Sequence, residues 1–123
     1  MSSTRPKKIP FKSQYNQTAR EEESKRVQAR YPDRIPVVCE RASSDRLLQD
    51  IDKVKYLVPS DLTMGQFTYV VRKRIKLSPE HAIFLMVDGC MLPTSLSMTS
   101  VYDKYKDKDG FLYVSYCGEN TFG

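Results

Sequence analysis

The sequence is poor in the residue types that build metal, disulfide and nucleophilic sites. Its 123 residues include one histidine, His81, and three cysteines, Cys39, Cys90 and Cys117. An odd, widely spaced set of cysteines is neither a disulfide framework nor a set of metal ligands, and it fits a reducing compartment. Cys39 and Cys117 fall at strand-like positions, where buried thiols are commoner than nucleophiles. We therefore expect no metal site and no cofactor, and we expect His81 at a helix edge or on the surface.

The sequence also lacks a long apolar run. We accordingly expect no membrane-spanning helix and no signal peptide, so that any membrane contact must come from surface charge or an added lipid. No pattern of paired carboxylates, activated nucleophile or phosphate-binding loop is found in the sequence. An enzyme is therefore the least favoured class of protein.

The net charge of +5 is concentrated near the amino end. Residues 1–30 carry eight Lys and Arg against three Glu, which leaves twelve charges of each sign in residues 31–123. Such an excess suits an acidic partner, a membrane surface or nucleic acid, or simply keeps the chain soluble. Nucleic acid is disfavoured, because the tyrosines fall within predicted strands and helices rather than between charges. The arm cations that would attract an anionic membrane are Arg5, Lys7, Lys8 and Lys12.

Local signals predict an amino-terminal arm followed by two helices. Residues 1–10 hold two prolines and little to bury, which predicts a flexible basic arm. Residues 11–30 are predicted to be a helical subdomain, because two aromatics four residues apart share one helix face at its start. Thr18 and Glu21 then form a capping-box pattern, which predicts a second helix ending near Arg30, before a proline.

Residues 31–116 are predicted to form a mixed sheet around one long helix. Thr63 and Gln66 make another capping-box pattern, and Asp88-Gly89 is typical of a tight hairpin. Pro36 cannot donate a ladder hydrogen bond, which places its strand at an edge or Pro36 itself at the start of the strand. The apolar run Ile83–Val87 predicts an interior strand covered on both faces. The predicted strands are 34–40, 55–59, 83–87 and 111–116, with a last helix after Leu96; this is the α+β order of a β-grasp core.

The last seven residues, 117–123, are predicted to be a flexible tail. They follow a strand-like run, have no hydrophobic period, and end on Gly123. A carboxylate on a glycine at the end of such an arm suits carboxyl-activation chemistry, since no Cβ shields the carbonyl and the arm can enter a narrow enzyme slot. A glycine also occurs at this position by chance in some chains, so both interpretations stay open at this point.

Several long runs of the sequence closely resemble one family, the autophagy ubiquitin-like modifiers of GABARAP type. The resemblance covers about Phe11 to Gly123, and runs of this length are far more specific than a short motif. The runs that carry it are Tyr31–Glu40, Lys55–Thr63, Val71–Ile75, Asp107–Val114 and Gly118–Gly123.

This resemblance implies a ubiquitin-like β-grasp fold with two additional amino-terminal helices. It also implies that E1-like and E2-like enzymes activate Gly123 and join it to phosphatidylethanolamine, and that a cysteine protease processes and deconjugates the protein. The protein would then be a substrate of enzymes rather than an enzyme. It would be cytoplasmic, and it would reside on autophagosome and vacuole- or lysosome-related membranes when lipidated.

The resemblance further implies a docking site for aromatic-x-x-aliphatic motifs of cargo receptors and adaptors, at the strand Lys55–Val58. The implied aromatic pocket consists of Glu23, Val27, Pro36, Val38, Lys55, Leu57 and Phe111. The implied aliphatic pocket consists of Tyr56, Val58, Pro59, Leu62, Phe67 and Val70. The cations implied to meet acidic residues beside the motif are Arg34, Lys53, Lys55 and Arg72.

Two alternatives remain beside this interpretation. Leu62, Phe67 and Val70 are also explained by ordinary packing of a helix on a sheet. The whole protein is also explained as an unconjugated ubiquitin-fold module that binds peptides and does not use its tail. Val27 and Val38 are smaller than the isoleucines usual in the family, which predicts a different fit for bulky indole rings.

Overall fold

The computed structural model describes residues 8–118, so the predicted arm (all but its last three residues) and the end of the predicted tail lie outside the described part. None of the helices within residues 8–118 is long and apolar enough to cross a membrane. The elements are α1 (Phe11–Gln14), α2 (Gln17–Arg30), β1 (Arg34–Arg41), β2 (Lys55–Pro59), α3 (Met64–Arg74), β3 (Ile83–Val87), β4 (Cys90–Met91), α4 (Met98–Tyr105) and β5 (Leu112–Gly118).

The five strands form one mixed sheet in the order β2-β1-β5-β3-β4. β1 and β5 run parallel, and the other neighbouring pairs are antiparallel. The central strand is β5, which pairs with β1 on one side and with β3 on the other. The predicted order of strands and helices is confirmed, as is the hairpin at Asp88 and Gly89, which both have positive φ angles.

The main core lies between the sheet and the long helix α3. The Gln66 N–H donates to Thr63 Oγ1 and the Thr63 N–H donates to Gln66 Oε1, which confirms the predicted capping box. The helix then buries Phe67 and Val71 completely against Val37 of β1 and other sheet residues. Truncating a buried Phe of this kind costs about 3–5 kcal/mol of stability, so α3 is held by its packing.

The opposite face of the sheet is covered by α1 and α2. Phe11 of α1 forms a second cluster with Val38 and Phe111, and the ring centroids of Phe11 and Phe111 lie 5.4 Å apart. Helix α2 is attached by Arg20, whose guanidinium lies 2.6 Å from the Asp109 carboxylate at the start of β5. The predicted pair of amino-terminal helices is therefore confirmed.

Two of the predictions made from local signals are wrong, and the structure decides between the two alternatives given for Pro36. The cap of α2 is Asn16, whose side chain accepts the Ala19 N–H, rather than Thr18. Pro36 does not mark an edge, because β1 lies between β2 and β5. It does lie near the start of its strand, before pairing with β5 begins at Val37. Strand β5 continues to Gly118, two residues beyond its predicted end at Tyr116 and into the predicted tail.

The apolar run of β3 is only partly as predicted. The strand is interior, since β5 and the two-residue β4 flank it. Its burial alternates, however, with Ile83, Leu85 and Val87 buried and Phe84 and Met86 half-buried. The reason is that α3 and α4 pack on one face of the sheet, whereas α1 and α2 lie over β1 and β5 on the other face.

Replacing Asn16 with alanine tests which residue caps α2. We expect Asn16→Ala to lower the free energy of unfolding by about 1 kcal/mol, because the Ala19 N–H loses its acceptor. The matched control is Thr18→Ala, for which we expect a change within about 0.5 kcal/mol. Urea denaturation followed by circular dichroism measures both. A larger loss in Thr18→Ala than in Asn16→Ala would contradict the cap assignment.

Candidate peptide-docking site

Strand β2 forms an open edge of the sheet within the described residues. The Cys39 N–H donates to Val54 O on the β2 side of β1, at 2.8 Å. Because peptide groups alternate in direction along a strand, Tyr56 and Val58 direct their polar groups toward β1, and Leu57 directs its own toward the edge. The edge can therefore accept an extended peptide by strand addition.

The two sides of β2 differ in what they face. Lys55, Leu57 and Pro59 are exposed or half-buried, and Tyr56 and Val58 between them are buried in the main core. The predicted alternation, with Lys55 and Leu57 on one side and Tyr56 and Val58 on the other, is confirmed. A peptide added to this edge would thus meet a different surface on each face of the sheet.

The residues of the predicted aromatic pocket lie on the face covered by α1 and α2. Val38, Phe111 and Pro36 are buried on this face and form the floor of the pocket. Phe11 of α1 packs on Val38 and Phe111. In the sheet register, Leu57 is opposite Pro36 and Lys55 is opposite Val38.

Helix α2 supplies the wall of the same pocket. Glu23 forms an ion pair with Lys55, with Glu23 Oε2 and Lys55 Nζ 2.5 Å apart. Val27, one turn further along α2, is half-buried and shares a helix face with Glu23. The ion pair joins β2 to α2, so an occupant of the pocket must lie beside it or displace it.

The residues of the predicted aliphatic pocket divide into a floor and a rim. Tyr56, Val58 and Phe67 are buried, and the rings of Tyr56 and Phe67 pack edge to face with centroids 5.5 Å apart. Leu62 is half-buried, and Pro59 and Val70 are exposed. Packing therefore explains Phe67 fully, whereas Val70, with 39% of its surface exposed, is available to a ligand.

A shallow depression, which no sequence pattern predicts, continues along α3 from this rim. Leu62 and Val70 line both the predicted aliphatic pocket and this depression. The depression adds the exposed ring of Tyr69, together with Gly65 and Thr94. Tyr69 falls at a helix position without a local motif, so only the packing of α3 against the segment before α4 shows this surface.

The cations predicted to meet acidic residues have different environments. Arg34 donates to Leu57 O at 3.1 Å, on the open edge, and Lys53 lies over the Tyr56 ring at 5.1 Å. Arg72 donates to the carbonyls of Ser78 and His81. Arg34, Lys53 and Lys55 are therefore close to the edge, whereas Arg72 is also a structural link to the loop before β3.

The Tyr56 hydroxyl is a buried polar group for which no hydrogen-bond partner is found among residues 8–118. Burial raises the pKa of this hydroxyl well above its usual value. By contrast, the Tyr116 hydroxyl, in the same core, donates to Gln49 O at 2.6 Å.

Burial disfavours reaction at two of the three cysteine thiols. Cys39 and Cys117 are buried as predicted, and Cys90 is exposed at the hairpin. Burial raises the pKa of both the Cys39 and the Cys117 thiol, which disfavours the nucleophilic thiolate. Within the described residues, no group of three or more His, Cys, Asp or Glu side chains is arranged to hold a metal ion.

A mixed sheet wrapped on α3, two amino-terminal helices on the other face and an open edge at β2 define a ubiquitin-like protein of the β-grasp class. Comparison with known proteins then identifies the family. Residues 19–123 match the family described as "Autophagy protein Atg8 ubiquitin like", and the chain belongs to this family.

Relatives and a solved structure agree with this assignment. Autophagy-related protein 8 of Mycosarcoma maydis is 58% identical over 92% of this chain and 95% of that protein. Autophagy-related protein 8d of Arabidopsis thaliana is 57% identical over 92% of this chain and 93% of that protein. The crystal structure of Trypanosoma brucei ATG8 superposes with a TM-score of 0.87 at 44% identity, covering 95% of this chain and 100% of that one. The protein is therefore an autophagy ubiquitin-like protein.

The unpartnered Tyr56 hydroxyl leads to a stability prediction. Because removing a buried group without a partner relieves its desolvation cost, we expect Tyr56→Phe to keep or raise the free energy of unfolding. The control Tyr116→Phe loses its bond to Gln49 and should lower that free energy by about 1 kcal/mol. Urea denaturation of both variants measures the difference. A loss in Tyr56→Phe equal to that in Tyr116→Phe would show that the hydroxyl has a partner.

Proposed function

We propose that this protein is a modifier conjugated through Gly123 to phosphatidylethanolamine, and that it also serves as a docking hub for cargo receptors and adaptors. Membership of the Atg8 family supports both parts. The observation that carries the docking part is the open β2 edge, with a distinct hydrophobic surface on each of its faces. Gly123 lies outside the described residues, so the conjugation part rests on the sequence and the family.

The proposed conjugation uses ATP and two enzyme thiols. The Gly123 carboxylate displaces pyrophosphate from ATP, and a cysteine of an E1-like enzyme then displaces AMP to form a thioester. After exchange onto an E2-like cysteine, the lipid amine attacks the carbonyl carbon, the thiol leaves, and an amide bond remains. A cysteine protease would process the carboxyl end and hydrolyse this amide.

In the proposed product, the lipid provides the membrane anchor. A two-chain lipid gives stable membrane anchoring, whereas a single acyl chain gives only marginal binding. The proposed product resides on autophagosome and vacuole- or lysosome-related membranes, and the free protein is cytoplasmic. Protein partners are the conjugation enzymes, the protease and the motif-bearing adaptors; nucleic acid is not among them, and the protein is not itself an enzyme.

The spacing of an aromatic-x-x-aliphatic motif fits the two faces of the β2 edge. Residues three apart in an extended strand point to opposite faces and lie about 10 Å apart. The aromatic side chain would enter beside Leu57 and Val27, above the floor formed by Val38. The aliphatic side chain would contact Leu62 and Val70 on the other face, and main-chain hydrogen bonds would join the peptide to β2.

Acidic residues beside the motif would meet the cations at the edge. Lys55 already pairs with Glu23, so an acidic side chain from the peptide would compete with that carboxylate. Arg34 and Lys53 lie along the same strand edge. Exposed pairs of this kind contribute about 0.2–1 kcal/mol each, so we assign most of the docking energy to the two apolar anchors.

Titration with an acidic peptide containing Trp-x-x-Leu tests the docking site. We expect NMR shifts centred on Lys55–Val58, Leu62 and Phe67, and at least about a ten-fold weaker affinity for Leu57→Ala, which loses about 2 kcal/mol of apolar contact. The matched control is Met91→Ala, at the opposite edge of the sheet, which should bind normally. A folded protein that shows no shifts at millimolar peptide would refute docking at this edge.

Substitution of the last residue separates a modifier from an unconjugated peptide-binding module. We expect Gly123→Ala to lose lipid conjugation, because the added Cβ crowds the carbonyl inside a narrow enzyme slot. Peptide affinity should stay unchanged, since β1 separates the β2 edge from β5, the strand that leads to residue 123. Conjugation is measured with purified activating and transferring enzymes and phosphatidylethanolamine vesicles, and recruitment is measured in cells. Unchanged membrane recruitment of Gly123→Ala would favour the unconjugated module.

A further inference from the structure

The carboxyl end of β5 is held by a buried carboxylate from a distant loop. Asp45 lies in the segment between β1 and β2 and is 2% exposed. Its Oδ1 accepts the Gly118 N–H at 2.8 Å, and its Oδ2 accepts the Leu48 N–H at 2.9 Å. One side chain therefore joins its own loop to the last residue of the sheet.

Neighbouring groups keep the Asp45 side chain in this position. The Asp45 N–H donates to Ala42 O at 3.0 Å, and the Ala42 N–H donates to Tyr116 O at 2.8 Å, so the loop is tied to β5 twice. The Arg41 guanidinium lies 3.8 Å from Asp45 Oδ2, and it also binds the Asp50 carboxylate at 2.9 Å. This cation compensates the cost of burying the aspartate charge.

Glycine at position 118 permits the close approach of the loop. A Cβ at this position would lie 3.2 Å from Leu47 Cδ1 and 3.4 Å from Asp45 Oδ1. Across the sheet, Gly118 pairs with Ile83 of β3. Gly118 is thus held from two directions, by Asp45 and by β3.

The position of this contact in the chain indicates its role. Five residues lead from Gly118 to the carboxyl of Gly123, and five residues span at most about 17 Å. Release of Cys117 and Gly118 from the sheet would add about 7 Å to that reach and would free the direction in which the chain leaves. The contact with Asp45 therefore sets the point from which the Gly123 carboxyl can be presented.

We propose that Asp45 is a positioning residue for conjugation: by holding Gly118 in the sheet, it fixes the point from which the last five residues lead to the Gly123 carboxyl. This inference rests on the proposed conjugation of Gly123. Asp45 does not touch the reacting atoms; it acts through Gly118. Misplacement of a reacting group by about 1 Å can cost a hundred-fold in rate, so loss of the contact should affect transfer more than binding.

A second buried aspartate provides a matched control for stability. Asp109 lies at the other end of β5, is 1% exposed, and accepts the Phe111 N–H at 2.8 Å and an Arg20 N–H at 2.6 Å. Asp109→Asn and Asp45→Asn each replace a buried carboxylate at one end of the same strand. Of the two, only Asp45→Asn lies next to the end of β5 that leads to Gly123.

The experiment measures thioester formation on the activating enzyme, with ATP, for the full chain and both variants, at a temperature where all three are folded. We expect Asp45→Asn to lower kcat between about ten-fold and a hundred-fold with KM within two-fold. Asp109→Asn should keep kcat and KM within two-fold. Hydrogen exchange should quicken at the Gly118 amide in Asp45→Asn and remain slow at Val114.

Each outcome has one meaning. If the unchanged protein forms no thioester, the proposed conjugation itself is wrong. If the unchanged protein reacts and Asp45→Asn reacts as fast as Asp109→Asn, the positioning role is wrong and conjugation stands. Should Asp45→Asn fail to fold, Gly118→Val replaces it, because the branched side chain meets Leu47 and Asp45 and displaces residue 118; a normal kcat in that variant overturns the positioning role.

Discussion

The structure depends on the central strand β5, which is paired along both sides and held at each end by a buried aspartate. At its start, Asp109 accepts hydrogen bonds from Phe111 and Arg20, which also attaches helix α2. At its end, Asp45 accepts the Gly118 N–H. Each carboxylate is expensive to bury and is compensated by a cation and by backbone donors. The first contact ties α2 to the segment before β5, and the second fixes Gly118, the last residue of the strand.

The position of β5 beside β1 also determines that β2 lies at the edge of the sheet. Because β5 pairs with β1 in parallel, β1 becomes interior, and β2 has a neighbour on one side only within the described residues. Helix α2 then flanks one face of β2 through the Glu23–Lys55 ion pair, and α3 flanks the other through Tyr56 and Phe67. A three-residue spacing between peptide anchors fits this arrangement, since it directs them to opposite faces. The proposed docking would therefore use the edge strand β2, whereas the proposed conjugation would use the chain that follows β5.

Much of the fold could be predicted from short-range signals in the sequence. The Thr63–Gln66 capping box, the hairpin at Asp88-Gly89 and the strand closed by Pro59 depend on residues within four positions of one another. Short-range signals also misled. Thr18 has the capping pattern, yet Asn16 is the cap, because α2 begins earlier. Pro36 suggested an edge or the start of a strand; β1 is interior, and Pro36 lies just before its pairing with β5 begins at Val37.

The sequence by itself determined the elements, their order and the family, because caps, turns, periodicity and long runs of family residues are all readable along the chain. Tertiary structure alone decided which residues meet. Asp45 and Gly118 are 73 positions apart, Arg20 and Asp109 are 89 apart, and Glu23 and Lys55 are 32 apart. No local pattern marks Asp45 as buried, since an aspartate in a polar loop is usually exposed. Its contact with Gly118 follows from the packing of that loop on β5, because contacts between distant segments exist only once the sheet has formed.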